Sequence, residues 1–90
     1  MNPKQLMQLR KIQKELAREV VEVEAGDGAV RIQISGEQKV KSVKIDPDKV
    51  ADTTKLEKWL ESAITQAITK SQQIAADKMK SASAGLNLGI

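Results

Sequence analysis

Lys4, Arg10, Lys11, Lys14 and Arg18 are spaced so that a helix would bring all five onto one arc, at about 100° per residue. Ammonium and guanidinium groups in such a row suit one task above others, the neutralisation of phosphate on a polyanion. A merely solvated helix face is the alternative. Such a face usually mixes Glu with Lys, whereas residues 1–18 hold five basic groups and one acid, so the scarcity of acid favours the phosphate ridge. Other chemistry is largely closed to the chain. It has no cysteine and no histidine, which removes disulfides, thiolate and imidazole catalysis and ordinary zinc sites. Asp46, Asp48 and Glu57 stand at EF-hand spacing, but Val50 offers no ligand oxygen and Ala51 replaces the glycine of that loop. Nothing arranges the remaining carboxylates and lysines for catalysis, so the chain reads as a non-enzyme without a cofactor.

The ridge needs a helix to carry it. Asn2 is an acceptable N-cap and Pro3 suits a first turn. Leu6, Leu9, Ile12, Leu16 and Val20 recur at three- and four-residue spacing opposite the basic arc, as a core-facing stripe does. Near Arg18 to Val21 the period changes to two and β-branched residues accumulate, which marks the start of a strand.

Two turn signals then set a sheet. Asp27-Gly28 predicts a two-residue hairpin loop of type I′. This register places Ala25 opposite Val30, Val23 opposite Ile32 and Val21 opposite Ile34, with Glu24 facing Arg31 and Glu22 facing Gln33 on the other side. Gly36-Glu37-Gln38 predicts a three-residue loop with Val40 opposite Ile34. Val43 and Ile45 then have the wrong parity for the apolar face. One extra residue at Lys41-Ser42, a β-bulge, would align them with Ile32 and Val30. Lys39, Lys41 and Lys44 on this third strand suit either edge protection or further contact with a polyanion.

Asp46-Pro47 ends the sheet, and residues 47–53 read as a turn or one short helical turn. Thr54-Lys55-Leu56-Glu57 has the form of a capping box. Leu56, Leu60, Ala63, Ile64, Ala67, Ser71, Ile74 and Ala75 follow as one stripe on a long helix that reaches about Ser81. Trp59, the sole aromatic residue, sits at the edge of the stripe and reads as a core-rim residue. The small residues and glycines near the end predict a mobile tail over about 82–90.

The 90 residues make one domain with a modest aliphatic core. The small core and open sheet edges favour an oligomer, and a cyclic dimer is the commonest kind. The net charge of +3 is unevenly placed: residues 1–18 carry +4, 19–27 carry −4, 28–45 carry +3, 46–61 carry −2 and 62–90 carry +2. A directed positive surface follows. No secretory leader is evident, and no apolar run approaches the roughly 20 residues that span a bilayer. A cytoplasmic protein without a membrane partner is expected.

The order helix, meander, long helix, together with Gly26-Asp-Gly-Ala-Val-Arg-Ile-Gln-Ile-Ser-Gly36 and Val40-Lys-Ser-Val43-Lys-Ile45-Asp46-Pro47, resembles the YbaB/EbfC family of nucleoid-associated DNA-binding proteins. Leu6-Met7-Gln8-Leu9 and Ala76-Asp77-Lys78-Met79 extend the resemblance over nearly the whole chain. It implies an α+β fold and a homodimer with paired helices held like tweezers. It also implies binding to double-stranded DNA, a place in the nucleoid and a role in chromosome organisation or gene regulation, with no small-molecule substrate. The first helix and the end of the last are implicated in DNA contact. The matching positions here are Lys4, Arg10, Lys11, Lys14 and Arg18, then Lys70, Lys78 and Lys80. The chain departs from many relatives after Gly85, where Leu-Asn-Leu-Gly-Ile replaces a proline-rich tail.

Phosphate contacts would dominate such binding. Arg10 or Arg18 could read guanine edges if the helix enters the major groove, and Gln5, Gln8 and Gln13 are further candidates for base or backbone contact. The competing reading is a protein-interaction module with incidental nucleic-acid binding, served by Met7 on the polar side of the first helix and by the apolar tail.

Overall fold

The structure is a computed structural model that describes residues 2–86. Helix α1 spans Pro3–Arg18, strands β1, β2 and β3 span Val20–Ala25, Val30–Ser35 and Val40–Ile45, a 3-10 turn covers Pro47–Lys49, and helix α2 spans Thr53–Leu86. The fold is α+β, with one antiparallel sheet in the order β1-β2-β3.

The predicted registers hold. Val23 pairs with Ile32 and Ala25 with Val30. The turn between them has Asp27 at φ 58° and Gly28 at φ 83°, the two positive values that a type I′ turn requires, and Gly26 before them is left-handed as well, at φ 64°. The Ala29 amide closes it on the Gly26 carbonyl at 3.1 Å. In the second hairpin Val40 faces Ile34, and the register then shifts so that Ser42 faces Gln33, Val43 faces Ile32 and Ile45 faces Val30. Lys41 is the extra residue, as the parity of the apolar positions demands.

Helix α2 lies across β1 and β2. Val23, Val30, Ile32 and Ile34 meet Ala63 and Ala67 in the core, with Val21, Ala25, Leu56, Trp59 and Leu60 packed around them. Alanines on the helix let it sit close to the β-branched face of the sheet. Trp59 packs over Gly26 at one end of the first hairpin, and Ser71 reaches Ser35 at the other. The span fits, since twelve helical residues rise about 18 Å and six strand residues extend about 20 Å. The helix then continues past the sheet.

Three expectations need correction. Val20 belongs to β1, and its side chain is 46% exposed rather than part of the stripe of α1; the strand's two-residue alternation overrides the helical period there. The N-cap of α2 is built by Asp52, whose Oδ1 accepts from the Lys55 amide at 2.9 Å, and not by Thr54. A carboxylate caps at least as well as a hydroxyl and favours the positive end of the helix dipole. The helix also runs to Leu86, beyond the expected end near Ser81. Of the expected mobile tail, residues 87–90 lie outside the described residues.

Candidate nucleic-acid interface

The first turn of α1 is fixed by a reciprocal cap. The Gln5 amide donates to Asn2 Oδ1 at 2.8 Å, and the Asn2 amide donates to Gln5 Oε1 at 3.2 Å. Gln5 is thereby committed to the helix end, whereas Gln8 and Gln13 stay exposed. The far end of the helix is held by the sheet. The Gly36 amide donates to the carbonyls of Leu16 and Glu19 at 3.0 and 2.8 Å, satisfying groups that a helix terminus leaves open. A Cβ on Gly36 would stand 2.9 Å from both Ile74 Cγ2 and Leu16 Cδ2, so a larger residue would have to push both side chains aside. Ile12 and Leu16 are buried, which fixes the rotation of α1 about its axis.

That rotation turns the basic arc outward. Lys4, Arg10, Lys11, Lys14 and Arg18 are all exposed. Among the described residues no ion pair engages any of the five. Glu15, the acid within the helix, is drawn toward α2, where its Oε2 lies 3.7 Å from Lys78 Nζ. The ridge therefore presents positive charge without an interleaved carboxylate.

The three lysines of α2 divide. Lys70 and Lys80 are exposed. Lys78 is half-buried and lies between two acids of the first helix region, 3.7 Å from Glu15 and 3.5 Å from Glu19. It links α2 to the end of α1, and its charge is offset locally. The 3.6-residue period that puts Lys78 on the line of the α2 stripe was the sequence signal for this inward position.

A second surface was not assigned from sequence. The sheet face of β3 has the right parity for a core, yet Val40, Val43 and Ile45 are 55%, 51% and 44% exposed because α2 covers only the first two strands. Ile64 and Ile68 on the adjoining side of α2 are 48% and 43% exposed. Between them lies a cavity of ≈ 350 Å³ lined by Ile32, Ile34, Gln38, Val40, Ile64, Ala67 and Ile68. No helix among the described residues is long and apolar enough to cross a membrane.

Residues 3–86 match the model of the YbaB/EbfC DNA-binding family. A nucleoid-associated protein of Chloroflexus aurantiacus is 38% identical, with 96% of each chain covered. A nucleoid-associated protein of Dictyoglomus turgidum is 40% identical over 94% of this chain and 88% of its own. The crystal structure of the uncharacterized protein HP0035 from Helicobacter pylori superposes with a TM-score of 0.68 at 14% identity, covering 88% of this chain and 90% of that one, a likeness of fold.

Proposed function

The chain belongs to the YbaB/EbfC DNA-binding family, and on that premise we propose that it is a non-enzymatic protein of the bacterial nucleoid that binds double-stranded DNA as a homodimer. The contacts are mainly to phosphates, and the role is chromosome organisation or gene regulation. The observation that carries this reading is the acid-free, outward-facing ridge Lys4, Arg10, Lys11, Lys14 and Arg18 on α1. Lys70 and Lys80 extend the same chemistry along α2, with Lys78 in a lesser part.

Phosphate neutralisation releases condensed counterions, so affinity falls with the logarithm of salt concentration. About six to ten engaged cations would weaken binding roughly 10³–10⁵-fold between 50 and 200 mM salt. Sequence preference is weak, because phosphate contacts position a protein without reading bases.

The dimer is supported by the uncovered apolar face of β3 and α2. Val40, Val43, Ile45, Ile64 and Ile68 form a patch that a single chain leaves in water. A second copy related by a two-fold axis presents the same patch in return. Two copies would then carry two ridges on one rigid frame, the arrangement that a tweezer-like grip on a duplex needs.

The test is fluorescence anisotropy of a labelled duplex titrated with protein at several salt concentrations. A steep salt dependence, made shallower in the variant with Lys11, Lys14 and Arg18 all changed to Ala, is the expected result. Absence of binding even at low salt would overturn the reading.

A further inference from the structure

We propose that the outer face of β2 and β3, carrying Lys41, Lys44 and Arg31, is a second phosphate-contacting surface for the DNA backbone. This rests on the DNA-binding reading above and adds a site on a different element.

The bulge creates the surface. In a regular strand Lys41 and Lys44, three residues apart, would point to opposite sides. Here Lys41 is the inserted residue, so Lys41 and Ser42 together oppose Gln33. Val43 returns to the core side and Lys44 joins Lys41 on the outer side. The same insertion that aligns the apolar face therefore brings the two lysines together. Lys44 also stands directly opposite Arg31. Like charges in such a cross-strand pair repel; Glu24 offsets Arg31 from the β1 side, and an anion at Lys44 would relieve what remains.

The rest of this face is consistent with that use. Its acids lie on the far strand, Glu22 and Glu24 on β1, so the face grades from negative at one edge to positive at the other. Glu24 answers Arg31 at 3.2 Å, but among the described residues no carboxylate pairs with Lys41 or Lys44. Ser42 donates to Gln33 Oε1 at 3.2 Å, which leaves the Gln33 amide hydrogens for an acceptor outside the protein. Edge protection is a weaker explanation, because the bulge already interrupts the free edge of β3. Lys39 immediately precedes this strand, its carbonyl accepting from the Ser35 amide at 2.9 Å, at the end of the sheet to which Gly36 ties α1. The strand thus starts at the end of the sheet where α1, with Arg18 in its last turn, also ends.

The experiment compares three variants of the full chain in the duplex titration: Lys41→Gln with Lys44→Gln, the α1 triple Lys11, Lys14 and Arg18 to Ala, and Lys55→Gln with Lys58→Gln as a control of equal charge change on exposed positions of α2. Each lost phosphate contact flattens the slope of log affinity against log salt by about 0.9. The β3 double is expected to lose about 1.8 for each subunit whose β3 face meets the duplex, additively with the α1 triple, while the control keeps the parent slope. An unchanged slope in the β3 double, with an unchanged melting curve, overturns the proposal. So does an equal loss in the control, which would trace the effect to net charge. Failure of the parent chain to bind duplex at any salt overturns the DNA-binding reading itself and this surface with it. Parent binding with an unaltered β3 double overturns this surface alone.

Discussion

The Ser71 hydroxyl donates to the Ser35 carbonyl across 2.7 Å, and both side chains are fully buried. The bond ties the middle of α2 to the end of β2, one residue before the Gly36 amide that holds the end of α1. One corner thus joins both helices to the sheet, and it fixes where the basic ridge points. The Ser35 carbonyl also accepts from the Gln38 amide at 3.0 Å. Ser71→Ala therefore leaves it partly satisfied, and the expected loss is about 1 kcal/mol. Ser71→Leu is expected to cost more, since overpacking adds about 1–3 kcal/mol where nothing can give way. Urea unfolding of the two variants checks the order.

Gly26 lies at φ 64° beneath the Trp59 ring, and a Cβ there would stand 2.6 Å from Cε2 and 2.8 Å from Cε3. Gly26→Ala bears the left-handed backbone cost, about 1–2 kcal/mol, and must also displace the indole. In a Trp59→Leu background the second cost should shrink and the first should remain. A double-mutant cycle on unfolding free energies measures the difference. Additive effects would mean that the ring does not press on the turn.

Lys78 and Lys80 share one helix but not one environment. Lys80 is exposed, whereas Lys78 is held by Glu15 and Glu19. Lys80→Gln is expected to flatten the salt slope of duplex binding by about 0.9 for each subunit whose Lys80 meets a phosphate. Lys78→Gln should change it little and should lower stability by no more than about 1 kcal/mol, the usual worth of an exposed ion pair. Equal slopes for the two variants would contradict this division.

Val43 and Ile68 lie on the two sides of the uncovered apolar face. Val43→Glu or Ile68→Glu places a charge where a second copy would have to desolvate it. Sedimentation velocity should show a dimer for the parent chain and a monomer for either variant, with circular dichroism unchanged. Loss of the dimer should also weaken duplex binding, because two linked ridges bind more tightly than one. A variant that still sediments as a dimer would move the interface elsewhere.

Local rules made much of this fold legible. The bulge at Lys41 followed from parity alone, because Val40, Val43 and Ile45 can share a face only with one residue inserted. The Asn2 cap and the Asp27-Gly28 turn followed from backbone geometry that few residues satisfy. Thr54 misled because several oxygens near a helix start can serve as caps, and the strand-to-helix connection places Asp52 first. Lys78 was selected by charge and family position, but its partners are Glu15 and Glu19, more than fifty residues away in sequence. No local pattern encodes that meeting.

The sequence by itself determined the elements, the strand registers and the arc of cations on α1. These depend on period, turn chemistry and charge within a few residues. Only the tertiary structure decided which of those features face water. The line of α2 across β1 and β2, pinned by Trp59 at Gly26 and Ser71 at Ser35, leaves the apolar side of β3 uncovered. The seat of α1 on Gly36 turns Glu15 inward and the five cations outward. Burial is a property of how elements meet, and the contacts that set it here join residues far apart in the chain.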